Sequence, residues 1–136
     1  MFELLDHPSD VGILARGRTR EEALVEASRA LTAIMVNPDS LVATEERDLY
    51  AKGSDEAAQI VNWLNEILFY FDTENVVFVE YIIDSWDANE ITGRARGAFV
   101  DLSQSEFRTA VKAVTYHQFQ SHPTTDGWEI RVFVDV

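Results

Sequence analysis

The 136-residue sequence predicts one α+β domain, residues 1–136, in which two helices pack on a largely antiparallel or mixed β-sheet in the order β-α-β-α-β-β-β-β. Three observations predict it. Two segments carry apolar residues at steps of three and four, the spacing of one helix face. The other patterned segments alternate at period two or run almost wholly β-branched and aromatic, as strands do. No low-complexity stretch, Pro/Gly linker or charge block divides the chain. Two amphipathic helices and several one-sided strands bury their apolar faces together as helices on one face of a sheet.

The first strand is read at Val11, Ile13 and Ala15, which alternate with Gly12, Leu14 and Arg16. Thr19 stands three residues before Glu22, a capping-box spacing that opens a helix. Its apolar face is Ala23, Leu24, Ala27, Leu31, Ile34 and Met35, and Asn37-Pro38 stops it, because the residue before a proline disfavours helix. A strand is expected over residues 41–51. Ser54 or Asp55 caps the second helix, with Ala58, Val61, Leu64, Ile67, Leu68 and Phe71 on the apolar face and Glu56, Gln59, Asn62 and Glu66 opposite. Asp72-Thr73-Glu74-Asn75 is turn chemistry, since these side chains compete for local backbone bonds. Residues 76–86 form a strand that turns at Asp87-Ala88-Asn89 and returns over 91–100. In the return strand Ile91, Gly93, Ala95, Gly97 and Phe99 share one face and Arg94 and Arg96 the other; the small residues predict close approach by a helix or another backbone. Residues 111–120 and 128–136 make the last pair, joined by a loop with Pro123 and Asp126-Gly127. Helix, strand, strand occurs after each helix, a loose internal echo without sequence identity.

Composition narrows the function. Twenty-four acidic against eleven basic residues leave a net charge of −13, and the only lysines are Lys52 and Lys112. Phosphate backbones are bound through Lys and Arg, so direct binding of free RNA or DNA is not expected, and the field favours a basic protein partner, a cation, or both. With 46% hydrophobic and 26% charged residues the chain is globular in composition rather than disordered. No apolar run approaches the roughly 18–20 residues that cross a bilayer. Met1 leads into Glu3 and Asp6 without a basic n-region, so no secretory signal and no membrane association is expected, and a cytoplasmic location is. The absence of cysteine excludes disulfides, thiolate metal sites and cysteine nucleophiles. G-x-G-x-x-G, P-loop, H-E-x-x-H and G-x-S-x-G motifs are all missing, and no two of the three His stand at zinc-ligand spacing.

Chemistry can sit in three places. Asp6-His7-Pro8-Ser9-Asp10 offers two carboxylates, an imidazole and a hydroxyl at the entry to a strand; it is also what an ordinary turn contains, and its functional reading is a hard-cation ligand such as Asp10, or a general base. Val134-Asp135-Val136 sets a side-chain carboxylate beside an α-carboxylate; if Asp10 lies near, the negative oxygens converge and call for a cation, and otherwise this is a frayed terminus. Lys112-Ala113-Val114-Thr115-Tyr116-His117 places Lys, Tyr and His within six residues, equipment for anion contact or simply a snorkelling lysine and a structural histidine. Glu66 on the second helix is by default a solvated residue.

These segments together resemble the archease family. Asp6-His7-Pro8-Ser9-Asp10-Val11-Gly12 resembles its D-H-T-A-D-V-G opening, with Pro8-Ser9 in place of Thr-Ala. Val61-Asn62-Trp63-Leu64-Asn65-Glu66-Ile67-Leu68, followed by Phe71-Asp72-Thr73-Glu74, resembles V-D-W-L-N-E-L-L…F-D-T-E, with Asn62 in place of an acid. Val111 to His117 matches V-K-A-V-T-Y-H unchanged, and Asp135-Val136 resembles the family's D-I or D-V ending. The resemblance implies an SHS2-like fold and an activator rather than a self-sufficient enzyme. Its partner would be the GTP-dependent RNA-splicing ligase of tRNA splicing, whose guanylylation and multiple turnover it promotes. It implies a divalent cation, Ca²⁺ with Mg²⁺ or Mn²⁺ as alternatives, on Asp10, Asp135 and Val136, and Lys112 as an essential residue. Asp6, His7, Glu66, Tyr116 and His117 are supporting candidates. Two other readings stand beside it. One is a chaperone-like modulator of a tRNA-modifying enzyme such as a tRNA methyltransferase. The other is a metal-dependent hydrolase using Asp10, His117 and Lys112.

Overall fold

A computed structural model describes residues 1–6, 10–101, 103 and 108–136. Elements follow as β1 (Phe2–Asp6), β2 (Asp10–Gly17), α1 (Arg20–Met35), a 3-10 turn (Pro38–Ser40), β3 (Glu45–Lys52), α2 (Glu56–Glu74), β4 (Val76–Trp86), β5 (Glu90–Phe99), β6 (Ala113–Pro123) and β7 (Trp128–Asp135). From β2 onward this is the expected order. Ahead of it stands β1, whose Phe-Glu-Leu-Leu-Asp lacks clean alternation: Leu4 and Leu5 point to opposite faces, and Leu4 stays exposed.

The strands form two antiparallel sheets rather than one, β1-β2-β7-β6 and β3-β5-β4. Each helix touches both: α1 lies on β2 and β7 and also on β4, while α2 lies on β3 and also on β6. The helices thus form a layer shared by two sheets. That explains the wide buried face of α1, which takes in Ser28 and Thr32 as well as the predicted apolar residues. It also corrects the reading of Gln59, assigned by spacing to the polar face of α2 but only 2% exposed. Its Nε2 donates to the carbonyls of Gly53 (3.3 Å) and Asp87 (3.1 Å), and its Oε1 accepts from Trp86 Nε1 at 2.7 Å.

Other polar groups in this layer are paired in the same way, as burial demands. Trp63, fully buried, donates through Nε1 to Ser28 Oγ at 3.0 Å, tying α2 to α1. The Ser28 hydroxyl donates in turn to the Leu24 carbonyl. Thr32 Oγ1 donates to the Phe78 carbonyl at 2.5 Å and meets the Tyr81 hydroxyl at 2.6 Å, tying α1 to β4.

The Thr19 cap is as read, and of the two candidates for the second helix it is Asp55 that caps. Thr19 Oγ1 accepts from the Glu22 amide at 3.1 Å, and Asp55 Oδ1 from the Ala58 amide at 2.8 Å. The 72–75 turn is shorter than expected. Helix α2 runs through Glu74, because Thr73 spends its hydroxyl on the Phe69 carbonyl one turn back (2.7 Å). Asn75 alone turns, at φ 58°, with its N–H on the Phe71 and Tyr70 carbonyls.

The small-residue face of β5 meets a neighbour as predicted. A Cβ on Gly93 would lie 2.7 Å from Trp63 Cη2 and press on the Ile82 main chain, which β4 brings over β5 through irregularities at Phe78/Glu80 and Ile83/Ser85. Phe99 leaves that face and is exposed. Gly93→Ala is therefore expected to destabilise by about 1–3 kcal/mol, the range for overpacking a filled core, read as a lower urea midpoint with an unchanged slope.

Candidate functional site

Strand β2 enters the sheet at Asp10, and β7 leaves it at Asp135. Their antiparallel register sets these two residues opposite each other. Residues directly opposite in an antiparallel ladder project to the same face, so the two carboxylates share one corner of the four-stranded sheet. Asp10 is half-buried and Asp135 exposed. The next strand joins them there: Ala113 of β6 pairs with Asp135, and the Lys112 amide donates to the Asp135 carbonyl at 2.8 Å. Lys112 itself is exposed, and Val136 follows Asp135 directly. Like charges placed opposite each other destabilise a sheet, so this corner opposes the sheet's own stability.

One step inward the surface changes character. Gly12 pairs with Phe133, and a Cβ on Gly12 would stand 2.9 Å from Phe133 Cε1, so only glycine leaves room for the ring beside the acids. The His117 ring meets Phe133 edge-on at 5.8 Å, and the Arg131 guanidinium lies 5.9 Å from the Phe133 centroid. Strand β6 is bulged here. Thr115 pairs with Phe133 but Gln120 with Arg131, so five steps on β6 answer two on β7 and three extra residues are extruded. Gln118 in the bulge adopts φ 51°, and its Oε1 accepts from Arg131 Nη2 at 2.8 Å. The bulge overturns the expected alternation of residues 111–120 and leaves Tyr116 and His117 exposed beside the acidic corner.

The structure thus brings together Asp10, Asp135, the Lys112 main chain and, next in chain, Val136. Among the described residues no third Asp, Glu or His joins Asp10 and Asp135 in a metal-binding cluster. Glu66 stands half-buried on α2, where burial pushes its carboxyl up from the usual range. His7 and the side chain of Asp6 lie outside the described residues. The donor chemistry of the corner, hard oxygen on two neighbouring strands, fits a Ca²⁺- or Mg²⁺-type ion and leaves most coordination positions to other groups.

Asn65 stands in the helix motif that resembles the family's, but no role was assigned to it from the sequence. Its Oδ1 accepts from the Val114 amide at 3.0 Å and its Nδ2 donates to the Val114 carbonyl at 3.4 Å, clamping α2 to the edge of β6. A signal existed: Asn is a poor helix former, and here it sits mid-helix beside the apolar stripe. Phe133 and Arg131 were equally unmarked, since their roles depend on the β6 bulge.

Comparison with known proteins agrees with the motifs. The Archease protein family matches residues 2–136. "Protein archease" of Methanosarcina barkeri is 34% identical over 99% of this chain and 95% of its own length, and that of Sulfolobus acidocaldarius 32% identical over 99% and 98%. The solution structure of Methanobacterium thermoautotrophicum protein 1598 superposes with a TM-score of 0.82 at 32% identity, covering 99% of this chain and 98% of that one. The crystal structure of an archease, possible chaperone, from Thermotoga maritima shares the fold, with a TM-score of 0.68 at 20% identity over 100% of this chain and 98% of that one.

Glu66 supplies a prediction with a definite sign. Burial raises its carboxyl above the unfolded value, so the folded state holds the proton more tightly. This contribution to stability is present at acid pH and is lost as pH rises through the raised value. Glu66→Gln is accordingly expected to raise the melting temperature at neutral pH, with the gap over wild type closing below about pH 4; thermal melts across pH check it.

Proposed function

Because the chain belongs to the archease family, we propose that it is an accessory activator of a GTP-dependent RNA-splicing ligase, promoting the ligase's guanylylation and multiple turnover in tRNA splicing or RNA repair without a reaction of its own. The observation that carries this reading is the register that sets Asp10 against Asp135 with Lys112 bonded alongside. Asp10, Asp135 and the main chain of Val136 would hold a divalent cation, Ca²⁺ first and Mg²⁺ or Mn²⁺ as alternatives. When bound, such an ion neutralises phosphate charge. Two side-chain ligands make a weak site alone, and the partner's groups complete it. Lys112 faces a phosphate or carboxylate at the same corner, and Tyr116 and His117 on the β6 bulge border it.

The net charge of −13 speeds docking of this corner into a basic RNA-binding cleft, since charge complementarity acts mainly on encounter rate. The same charge disfavours free nucleic acid as the ligand. Among the described residues no helix is long and apolar enough to cross a membrane.

A second reading, chaperone-like modulation of a tRNA-modifying enzyme such as a methyltransferase, draws on the exposed Phe69, Phe99 and Tyr116. It requires suppression of client aggregation without a divalent cation.

The deciding measurement is guanylylation of the ligase by GTP with substoichiometric amounts of this protein. Asp10→Asn and Asp135→Asn are each expected to lower stimulation by at least about 100-fold, since loss of even a ligand's outer-shell partner costs roughly 10–100-fold, while the melting temperature holds or rises as a like-charge opposition is removed. Lys112→Ala should lose stimulation with cation affinity retained. Stimulation untouched by all three substitutions would overturn the ligase reading.

A further inference from the structure

The corner that holds Asp10, Asp135 and Lys112 borders β6, which among the described residues is an edge strand paired to β7 alone. An edge strand carries main-chain donors and acceptors that no ladder satisfies, and its end frays unless something holds it. At Val114, two residues beyond Lys112, both outward main-chain groups are taken by Asn65. On the other side of the strand, the Lys112 amide bonds to the Asp135 carbonyl, and Ala113 pairs with Asp135. The start of β6 is therefore gripped from α2 by one amide side chain and from β7 by the main chain at Asp135. Beyond Thr115 the ladder breaks into the bulge and offers no further support until Gln120.

We propose that Asn65 is a positioning residue that fixes the Lys112 main chain against Asp135 by clamping Val114, and so sets where the Lys112 ammonium group starts out relative to the two carboxylates; this rests on the activator reading above. Asn suits the task for a chemical reason. Its planar amide presents one donor and one acceptor side by side, the same pair a neighbouring strand would offer. Aspartate would keep the bond from the Val114 amide but set an anionic oxygen against the Val114 carbonyl. Alanine removes both bonds. Helix α2 also carries the matched control. Asn62, nearly one turn earlier, donates through Nδ2 to the Lys52 carbonyl at 2.7 Å, tying the same helix to β3 in the other sheet.

The experiment compares Asn65→Ala, Asn65→Asp and Asn62→Ala in the full chain. Three readouts are taken: amide hydrogen exchange at Val114 and Lys112, the maximal stimulation of ligase guanylylation, and the protein concentration giving half of it. For Asn65→Ala, exchange at both amides is expected to rise by about tenfold or more. Maximal stimulation should fall by about tenfold, less than the roughly 100-fold that a 1 Å misplacement can cost, with the half-saturating concentration unchanged. Asn65→Asp should fall between. Asn62→Ala should lower the melting temperature without altering either amide or the stimulation. Unchanged exchange at Lys112 in Asn65→Ala overturns the proposal, as does an equal loss of stimulation in Asn62→Ala, which would make the effect one of general stability. If wild-type protein stimulates no ligase, the activator reading fails by itself, and the exchange measurements still decide whether Asn65 holds Lys112 in place.

Discussion

The pairing of β2 with β7 is the constraint on which the rest depends. Its inner face is apolar: Val11 pairs with Val134, Ile13 with Val132 and Ala15 with Ile130, and Ile13, Ala15, Ile130, Val132 and Val134 are fully buried against the helices. Each large aliphatic side chain so buried contributes about 1.5–3 kcal/mol. A slip of one residue would turn all of them outward. Setting Asp10 against Asp135 costs at most about 1 kcal/mol. The core therefore wins by a wide margin, and the acidic corner is held together against its own repulsion by apolar contacts on the opposite face of the same strands.

The helices translate that register into a rigid site. Helix α2 is bound on one side to β3 through Asn62 and on the other to β6 through Asn65, while Trp63 between them donates to Ser28 of α1. Each of these hydrogen bonds is worth only about 1 kcal/mol net. Their effect is directional: they fix the rotation of α2 about its axis, which apolar contacts on a wide buried face would leave loosely set. The three groups come from one four-residue stretch, so the position of β6 relative to β3 is determined within a single turn of one helix. The strand motif carrying Lys112 and the helix motif carrying Asn65 are distant in the chain but share one hydrogen-bonded pair.

Around the acidic corner the surface is polar and aromatic in a definite order. Carboxylates stand at the sheet's end, the Phe133 ring with His117 and Arg131 one step in, and the Arg16–Glu129 ion pair (3.0 Å) with His122 beyond it. The bulge is what creates this order. By extruding three residues from β6 it turns His117 onto Phe133 and leaves Tyr116 projecting, and Arg131 holds the left-handed Gln118 in place. A strand that kept its ladder would have placed these side chains alternately on opposite faces.

Local patterning determined the cap at Thr19 and narrowed the second to Ser54 or Asp55, and it determined the two helices, the long strands β4 and β5, and the close approach at Gly93, because each depends on residues within a few positions or on one side chain's size. The motifs that identify the family were legible for the same reason: they are contiguous. Tertiary structure decided the rest. Two sheets rather than one, the burial of Gln59, the extension of α2 through Thr73 and the bulge at 116–119 all follow from what packs on the other side of an element, which periodicity within that element does not record. Whether Asp10 would meet Asp135 was likewise undecidable from spacing, since the two stand at opposite ends of the chain. The β2–β7 register decides it, and that register is set by which apolar faces must be buried together.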